Sequence, residues 1–502
     1  MTIRQRNLRQ GTMSVQQETA PLIASKPGRN TTYPGKDSKC RPAKICLIFI
    51  LALLLLASIV AGLIITYAWF EHDVNHVCHD QCRIQLVESI PENLTFPANE
   101  TVHLPTAEAL MELILSANET IEIASYYWTL RTNDVPDHDN SSRVGQLLFN
   151  TLMKIGKEQK VKIKIVQNIA DKSQPQHDSE YLKEYAHAEV RNLNVTRLVG
   201  AGILHTKMWL IDRKSYYVGS ANTDWRSLTQ VKEMGVLVQN CSCLATDIGK
   251  IFDAYWYLAQ DQVTIPGTWP ASYNTDINGQ TPEVVSYNGG NDTQALVYMS
   301  SSPPQFCPEG RTVDIEAIIA VIRAARRFVY VAVMDYLPMI AYSTPRKFWP
   351  IIDDELRYAA INRGVTVRML GSKWAHTDED MPTFLRSLLT VSDVCCPHIK
   401  LEVKMFEVPA TPAQAKIPYA RVNHNKFMVT DQHAYIGTSN WYGDYFKYTA
   451  GIGFVLTPSN SSSRDMGDIR QQLEDVFLRD WNSQYSKPLE GVAPKNCSDP
   501  RC

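Results

Sequence analysis

The sequence predicts an α/β protein of two related lobes, packed face to face with one site at their seam and preceded by a single transmembrane helix. Three observations predict it. Segments with helical and strand periodicity alternate along the chain. The same order of elements occurs twice, each time ending in the same residue pattern. And residues 45–67 (ICLIFILALLLLASIVAGLIITY) form a run of 23 positions without a charge.

The first half opens with Ala107 to Asn118, read as a helix, running into a strand from Thr120 to Trp128. A second helix, Val144 to Ile155, leads into the alternating strand Val161 to Val166. Then come Gly202-Ile-Leu-His205-Thr-Lys207-Met-Trp-Leu-Ile-Asp212 and, after a turn, Ser215-Tyr-Tyr-Val-Gly219-Ser-Ala-Asn222. The second half repeats this with a helix Asp314 to Arg326, a strand Phe328 to Tyr336, a helix Ile352 to Asn362 stopped by Gly364, and a strand Val365 to Leu370. Its motif segments are Arg421-Val-Asn-His424-Asn-Lys426-Phe-Met-Val-Thr-Asp431 and Ala434-Tyr-Ile-Gly437-Thr-Ser-Asn440. Residues 265–304, rich in Pro, Gly, Asn, Ser and Thr, read as connecting loop. The expected organisation is a cytosolic tail (1–44), the span (45–67), a stalk (68–104), a first lobe (105–264), a linker (265–304), a second lobe (305–490) and a C-terminal tail (491–502).

A bilayer needs about 20 apolar helical residues, and few core helices are apolar all round at that length. Basic residues crowd the chain before the span, whereas Glu71, His72 and Asp73 follow it. The positive-inside rule therefore makes this a type II signal anchor, with everything after Phe70 lumenal or extracellular. Nine N-x-Ser/Thr sequons lie beyond the span, at Asn93, Asn99, Asn118, Asn140, Asn194, Asn240, Asn291, Asn460 and Asn496, a density that suits a glycoprotein. Of 11 cysteines nine also lie beyond it, as expected for an oxidising compartment. Cys78, Cys82, Cys241 and Cys243 fit zinc spacings poorly and are better disulfide candidates, joining the stalk to the 241–243 region with connectivity left open. In the polar tail, Glu18-Thr-Ala-Pro-Leu22-Ile23 has the form of an acidic dileucine signal for adaptor complexes, a pattern short enough to arise by chance.

The repeated unit is H-x-K-x4-D followed by G-[ST]-x-N. His and Lys two apart share one face of a strand, as do the Ser/Thr hydroxyl and Asn on the next. Each half thus offers an imidazole (His205, His424), an ammonium (Lys207, Lys426), an amide (Asn222, Asn440) and a hydroxyl (Ser220, Thr438). Two such sets facing each other surround a tetrahedral phosphate. Phosphodiester cleavage needs a nucleophile, an in-line proton donor for the leaving oxygen, and cations for the non-bridging oxygens. Two histidines and two lysines supply these without a metal, and no H-E-x-x-H, Walker or EF-hand pattern is present, so no cofactor is expected. Asp212 and Asp431 complete the motifs and are read as bracing their strands. The net charge of −2 gives no global basic signal, so any nucleic acid must be held by local charge.

This duplicated pattern resembles the HKD motif of the phospholipase D superfamily, over nearly the whole lumenal region. Leu86-Val-Glu-Ser-Ile-Pro91, the stretch from Gly219 to Glu233, and Ile417-Pro-Tyr-Ala-Arg-Val-Asn-His424 bring it close to that superfamily's lysosomal, membrane-anchored branch. The resemblance implies two phospholipase-D-like lobes and a five-prime exonuclease on single-stranded DNA and RNA, acting through a phosphohistidine. The alternative it carries is transphosphatidylation of a lysophosphatidylglycerol-type lipid to bis(monoacylglycero)phosphate. It further implies passage through endoplasmic reticulum and Golgi to late endosome and lysosome, release of a soluble form by proteolysis, and a homodimer. It makes His205 the nucleophile, His424 the general acid and then base, and Glu233 the carboxylate that orients a histidine; the plain alternative for Glu233 is an ion pair with Lys232 or Arg226. The second motif is followed by Tyr448-Thr-Ala-Gly451, without an acid. Aromatic residues crowd the motifs, read singly as core packing more readily than as base-stacking rings, with Trp225 and Trp441 expected nearest the cleft. One departure is Lys373, where the branch has a cysteine bonded to the C-terminal tail. The partner of Cys497 is therefore open among Cys502, Cys395, Cys396 and Cys307.

Overall fold

The computed structural model describes residues 53–56, 58–60, 62 and 77–489, apart from 136, 172, 173, 175, 289–293, 391, 393–398 and 460–467. The tail signal at Glu18, Leu22 and Ile23, the sequons at Asn291, Asn460 and Asn496, and Cys395, Cys396, Cys497 and Cys502 lie outside these residues. Most of the expected span does too. Its described positions 53–56, 58–60 and 62 are helical, and among the described residues no helix is long and apolar enough to cross a membrane.

The described residues from 77 to 489 form one compact unit. Its first half contains β1 (Val77–Ser89), α1 (Thr106–Ser116), β2 (Thr120–Ser125), α2 (Arg143–Glu158), β3 (Lys162–Asn168), β4 (Glu189–Leu193), β5 (Met208–Ile211), β6 (Ser215–Gly219), β7 (Glu233–Gln239) and α3 (Ser242–Leu258). The second contains β8 (Glu283–Tyr287), β9 (Gln294–Ser302), α4 (Asp314–Ala324), β10 (Phe328–Val333), α5 (Ile351–Arg363), β11 (Thr366–Ser372), β12 (Leu401–Phe406), β13 (Lys426–Thr430), β14 (Ala434–Gly437), β15 (Gly451–Pro458) and α6 (Ile469–Asn482). Helix α2 forms because Leu148, Phe149, Leu152, Met153 and Gly156 fall on one face, and that face is buried. Helix α5 stops at Gly364, whose φ of 65° no other residue adopts as cheaply.

The strand order is the same in both halves. The first sheet runs β4–β3–β2–β5–β6–β7–β1, parallel through β2 and antiparallel beyond. The second runs β12–β11–β10–β13–β14–β15–β9, with the same change of direction at the same place. The motif strands β5 and β13 sit in the middle, buried on both faces. One apolar cluster joins the sheets through Met208, Val218 and Val236 on one side and Phe427, Ile436 and Phe454 on the other. Two further clusters fill the outer faces, where helices cover each sheet.

Two boundaries differ from the sequence reading. The stalk contains β1, which pairs with β7 over Arg83–Ser89 and, in parallel, with β8 over Val77–Cys82, tying one sheet to the other. The linker contains β8 and β9, and β9 pairs with β15 as β1 pairs with β7. Each repeat therefore begins one strand earlier than its first helix. Those strands were obscured because β1 mixes polar and charged residues among its apolar ones and β9 ends in three serines, so neither reads as a clean strand run. The cysteines settle the connectivity left open above: Cys78 bonds Cys243 and Cys82 bonds Cys241, which staples β1 to the start of α3.

Candidate active site

The two halves meet through the backbone just ahead of each motif histidine. His205 N–H donates to Ala450 O at 2.9 Å, and His424 N–H donates to Lys232 O at 2.8 Å. Each histidine is thus anchored to the other half, at the residue just before β15 or β7, the strand that follows the other half's second motif strand. Their side chains cross the seam as well. His205 Nδ1 lies 2.8 Å from the carbonyl oxygen of Thr438. His424 Nδ1 lies 2.9 and 3.1 Å from the two oxygens of Glu233. Lys232 is taken up by Asp480 at 2.7 Å and Arg226 by Asp224 at 2.8 Å, so neither competes for Glu233.

Both Nδ1 atoms face acceptors, which places the proton there in the neutral ring and leaves each Nε2 lone pair free. The electrostatics then separate the two rings. Burial first, and then the charges of Lys207, Lys426 and His424, push His205 well below the ordinary histidine range. Burial also lowers His424, but the Glu233 carboxylate works against it by charge and hydrogen bond. His205 is held as a neutral ring, while His424 has a partner for its positive form. Lys207 and Lys426 donate back to the carbonyls of His205 and His424, at 2.6 and 2.9 Å. Burial is the main cause of depression for both ammoniums, Lys426 falling to about 8, and the charge of Lys426 further depresses Lys207. Two buried cations that disfavour each other favour an anion between them.

The remaining expected residues divide. Asn222 and Asn440 are buried with their Oδ1 atoms unpartnered, and Asn440 Nδ2 donates to Asp335 at 2.9 Å. Ser220 and Thr438 each accept a backbone amide at the hydroxyl oxygen. Met234 N–H donates to Ser220 Oγ and Ile452 N–H to Thr438 Oγ1, both at 3.0 Å, so these oxygens hold neighbouring strands. Asp212 and Asp431 also bind backbone amides. Asp212 accepts from the amides of Asn118, Glu119 and Thr120, and Asp431 from those of Arg326 and Arg327, at the turns that enter β2 and β10. Their motif role is to brace the repeat. The motif glycines serve the same end: a Cβ on Gly219 would stand 2.5 Å from Gly235 Cα, which β6 and β7 bring side by side.

Trp225 and Trp441 do not line the cleft; both are fully buried, because the helix turn after each motif folds them into the core. The rings at the dyad are Tyr126 and Tyr445, with centroids 5.4 and 5.1 Å from that of His205. Sequence reasoning missed Asp335. It lies just past β10, and burial raises its carboxyl to about 6 against the opposing charge of Lys426. A signal existed, in an acid standing where an otherwise apolar strand ends. No metal is called for by this donor set. The four cysteine sulfurs grouped within 4.8 Å, the one cluster of metal-ligand type among the described residues, are already spent in disulfides.

Comparison with known proteins agrees with this geometry. The family model described as "PLD3/4, PLD-like domain" matches residues 98–411. The chain is 48% identical to a protein of Bos taurus named 5'-3' exonuclease PLD3, over 83% of this chain and 82% of that one. It is 47% identical to the Homo sapiens protein of the same name at the same coverage. To 5'-3' exonuclease PLD4 of Mus musculus it is 40% identical, over 83% and 81%. The fold is shared with phosphatidylserine synthase of Haemophilus influenzae, at a TM-score of 0.52 and 12% identity over 81% of this chain and 87% of that one. The chain belongs to the PLD3/4 family of phospholipase-D-like proteins and is a phosphodiesterase.

Proposed function

We propose that the protein is a 5'-3' exonuclease that removes nucleotides from single-stranded DNA or RNA through a phosphohistidine on His205. The carrying observation is the asymmetric dyad: one ring held neutral against a carbonyl, the other paired with a carboxylate. Neutral His205 Nε2 attacks phosphorus, the bond to the strand beyond the cut breaks, and His424 protonates the departing oxygen. Glu233 stabilises His424 in the charged form this requires, and the neutral ring produced then activates water to release the nucleotide. Lys207 and Lys426 balance the charge on the non-bridging oxygens. The relatives named 5'-3' exonuclease, near 47% identity over 83% of the chain, support nucleic acid as the substrate. The lipid-transfer reading would use the same dyad but gains nothing from those names.

The depression of His205 also bears on compartment. An ordinary histidine, near 6.5, is mostly protonated at lysosomal pH and cannot attack. A ring held well below that value keeps its lone pair in acid. With the paired lumenal cysteines, the exposed sequons at Asn93, Asn99, Asn118, Asn140 and Asn240, and the dileucine pattern, this supports delivery to late endosome and lysosome. The sequon at Asn194 is less open, since its side chain caps a helix turn by accepting from Arg197 N. The type II anchor at 45–67, proteolytic release and a homodimer belong to the same reading. Protease digestion of intact microsomes should spare all but the first 44 residues or so. Digestion of the sequon-bearing region instead would reverse the topology.

The activity test gives the full chain, in detergent at pH 5, a five-prime-labelled single-stranded oligonucleotide beside a phosphatidylglycerol-type lipid, with and without EDTA. The expected result is label released as mononucleotide, at the same rate in chelator. Loss in EDTA restored by one metal would refute the dyad mechanism. Turnover of lipid alone would replace the exonuclease reading with the transferase one.

A further inference from the structure

Beyond the dyad, the second half carries a cavity of about 240 Å³ that the mechanism does not use. Three of its lining residues are aromatic and touch in series. Trp374 meets His376 edge-on with centroids 4.7 Å apart, and His376 stacks on Tyr419 at 4.8 Å with 22° between their planes. His376 and Tyr419 are exposed, Tyr419 by 58%, and Trp374 is half-buried with its Nε1 unpartnered. Such rings are normally covered in a stable surface. The cavity also adjoins cationic side chains, Lys373 and Arg421.

The cavity is connected to the site from two directions. Tyr419 and Arg421 lie five and three positions before His424, on a segment that enters the dyad directly. Trp374 follows β11, whose last residue, Ser372, donates its hydroxyl to the carbonyl of Asn423, the neighbour of His424. Pro418, the neighbour of Tyr419, accepts at its carbonyl from Arg226 Nη1 at 2.6 Å, and Arg226 pairs with Asp224, which accepts from the hydroxyl of Tyr127, the neighbour of the Tyr126 ring packed against His205. The aromatic series therefore adjoins the cleft on the side of His424, the histidine that hands its proton to the departing strand.

We propose that Trp374, His376 and Tyr419 form a stacking platform for bases of the single strand beyond the scissile bond. This rests on the exonuclease reading, and adds to it how the strand is held between cuts. A 5'-terminal nucleotide must enter the dyad while the rest of the strand runs outward over open surface. Exposed rings accept any base by its face, which suits an enzyme that removes successive nucleotides without regard to sequence. Lys373 at the rim, although it pairs with Glu407 at 3.2 Å, is 64% exposed and free to turn to a phosphate.

The test compares two substrates on the full-length protein: a single-stranded oligonucleotide of about 20 residues, and thymidine 3'-(p-nitrophenyl phosphate), which has no base beyond the bond cut. Tyr419→Ala and His376→Ala alter exposed side chains and should leave folding intact; Trp374→Ala is the third variant. Each should raise KM for the oligonucleotide by roughly tenfold. Kinetics on the nucleoside ester should stay unchanged, and Tyr419→Phe should restore the oligonucleotide KM. Unchanged KM for the oligonucleotide in Tyr419→Ala and His376→Ala would overturn the platform. Equal loss on both substrates would overturn it too, by making these residues supports of the dyad. Failure of the wild-type protein to cut the oligonucleotide while cutting the ester would instead remove the exonuclease reading, and the platform with it.

Discussion

Alanine at His205 is expected to abolish turnover and to leave no covalent adduct with any substrate. The loss should reach at least ~10⁴-fold in kcat, the scale seen when a nucleophile is removed from a unit that acts together. Alanine at His424 should lose steady-state turnover to a similar degree, and the double variant should be little worse than either. The two differ with an activated substrate. A p-nitrophenyl leaving group needs little of the proton that His424 supplies, so His424→Ala should still form the phosphohistidine and then stall for want of a base. Acid-labile, base-stable phosphate mapped to His205 in that variant is the expected result. Its appearance on His424 in the His205 variant would exchange the roles. The assignment follows from the two Nδ1 partners: a carbonyl favours a neutral ring, and a carboxylate favours a charged one.

Glu233→Gln tests that second half directly. The amide keeps a hydrogen-bonding oxygen for Nδ1 but removes the charge that works against burial, so kcat with oligonucleotide should fall by ~10²- to 10⁴-fold. The sign on pH can be stated. Glu233 raises the His424 pKa against desolvation, so its removal lowers that pKa further. The first step needs His424 protonated, and activity declines as pH rises through that pKa. In the variant the decline should therefore begin at a lower pH, and the residual activity should be greatest in acid. With the p-nitrophenyl ester the first step should be much less affected than the second. A variant whose profile matched the wild type would leave Glu233 as a buried support of the seam.

How much of this could be read from residues alone varies with the interaction concerned. His205, Lys207, His424 and Lys426 were legible because a pattern of spacing repeated in equivalent places constrains both strand face and chemistry. Helices α2 and α5 were legible by period and by a terminal glycine. Asp212 and Asp431 were legible both as motif members and as braces of their strands, whereas Ser220 and Thr438 were legible only as motif members. A hydroxyl on a motif strand has both phosphate and backbone amides to choose from, and only the neighbouring strand decides. Trp225 and Trp441 failed for the same reason, since nearness in sequence to the motif does not say which way a ring turns.

Residue type and local period were enough to give the duplicated α/β plan, the four reactive side chains and the cysteines available for pairing. The folded chain was needed to see that β1 and β9 begin the repeats, that Cys78 joins Cys243 and Cys82 joins Cys241, and that Asp335 is set against the charge of Lys426. The same holds for Glu233 of one half serving His424 of the other while His205 receives a carbonyl. Each of these is a contact between residues far apart in the chain. Such contacts arise when two sheets close on one another, and burial at that seam, not local sequence, sets the charge each histidine carries.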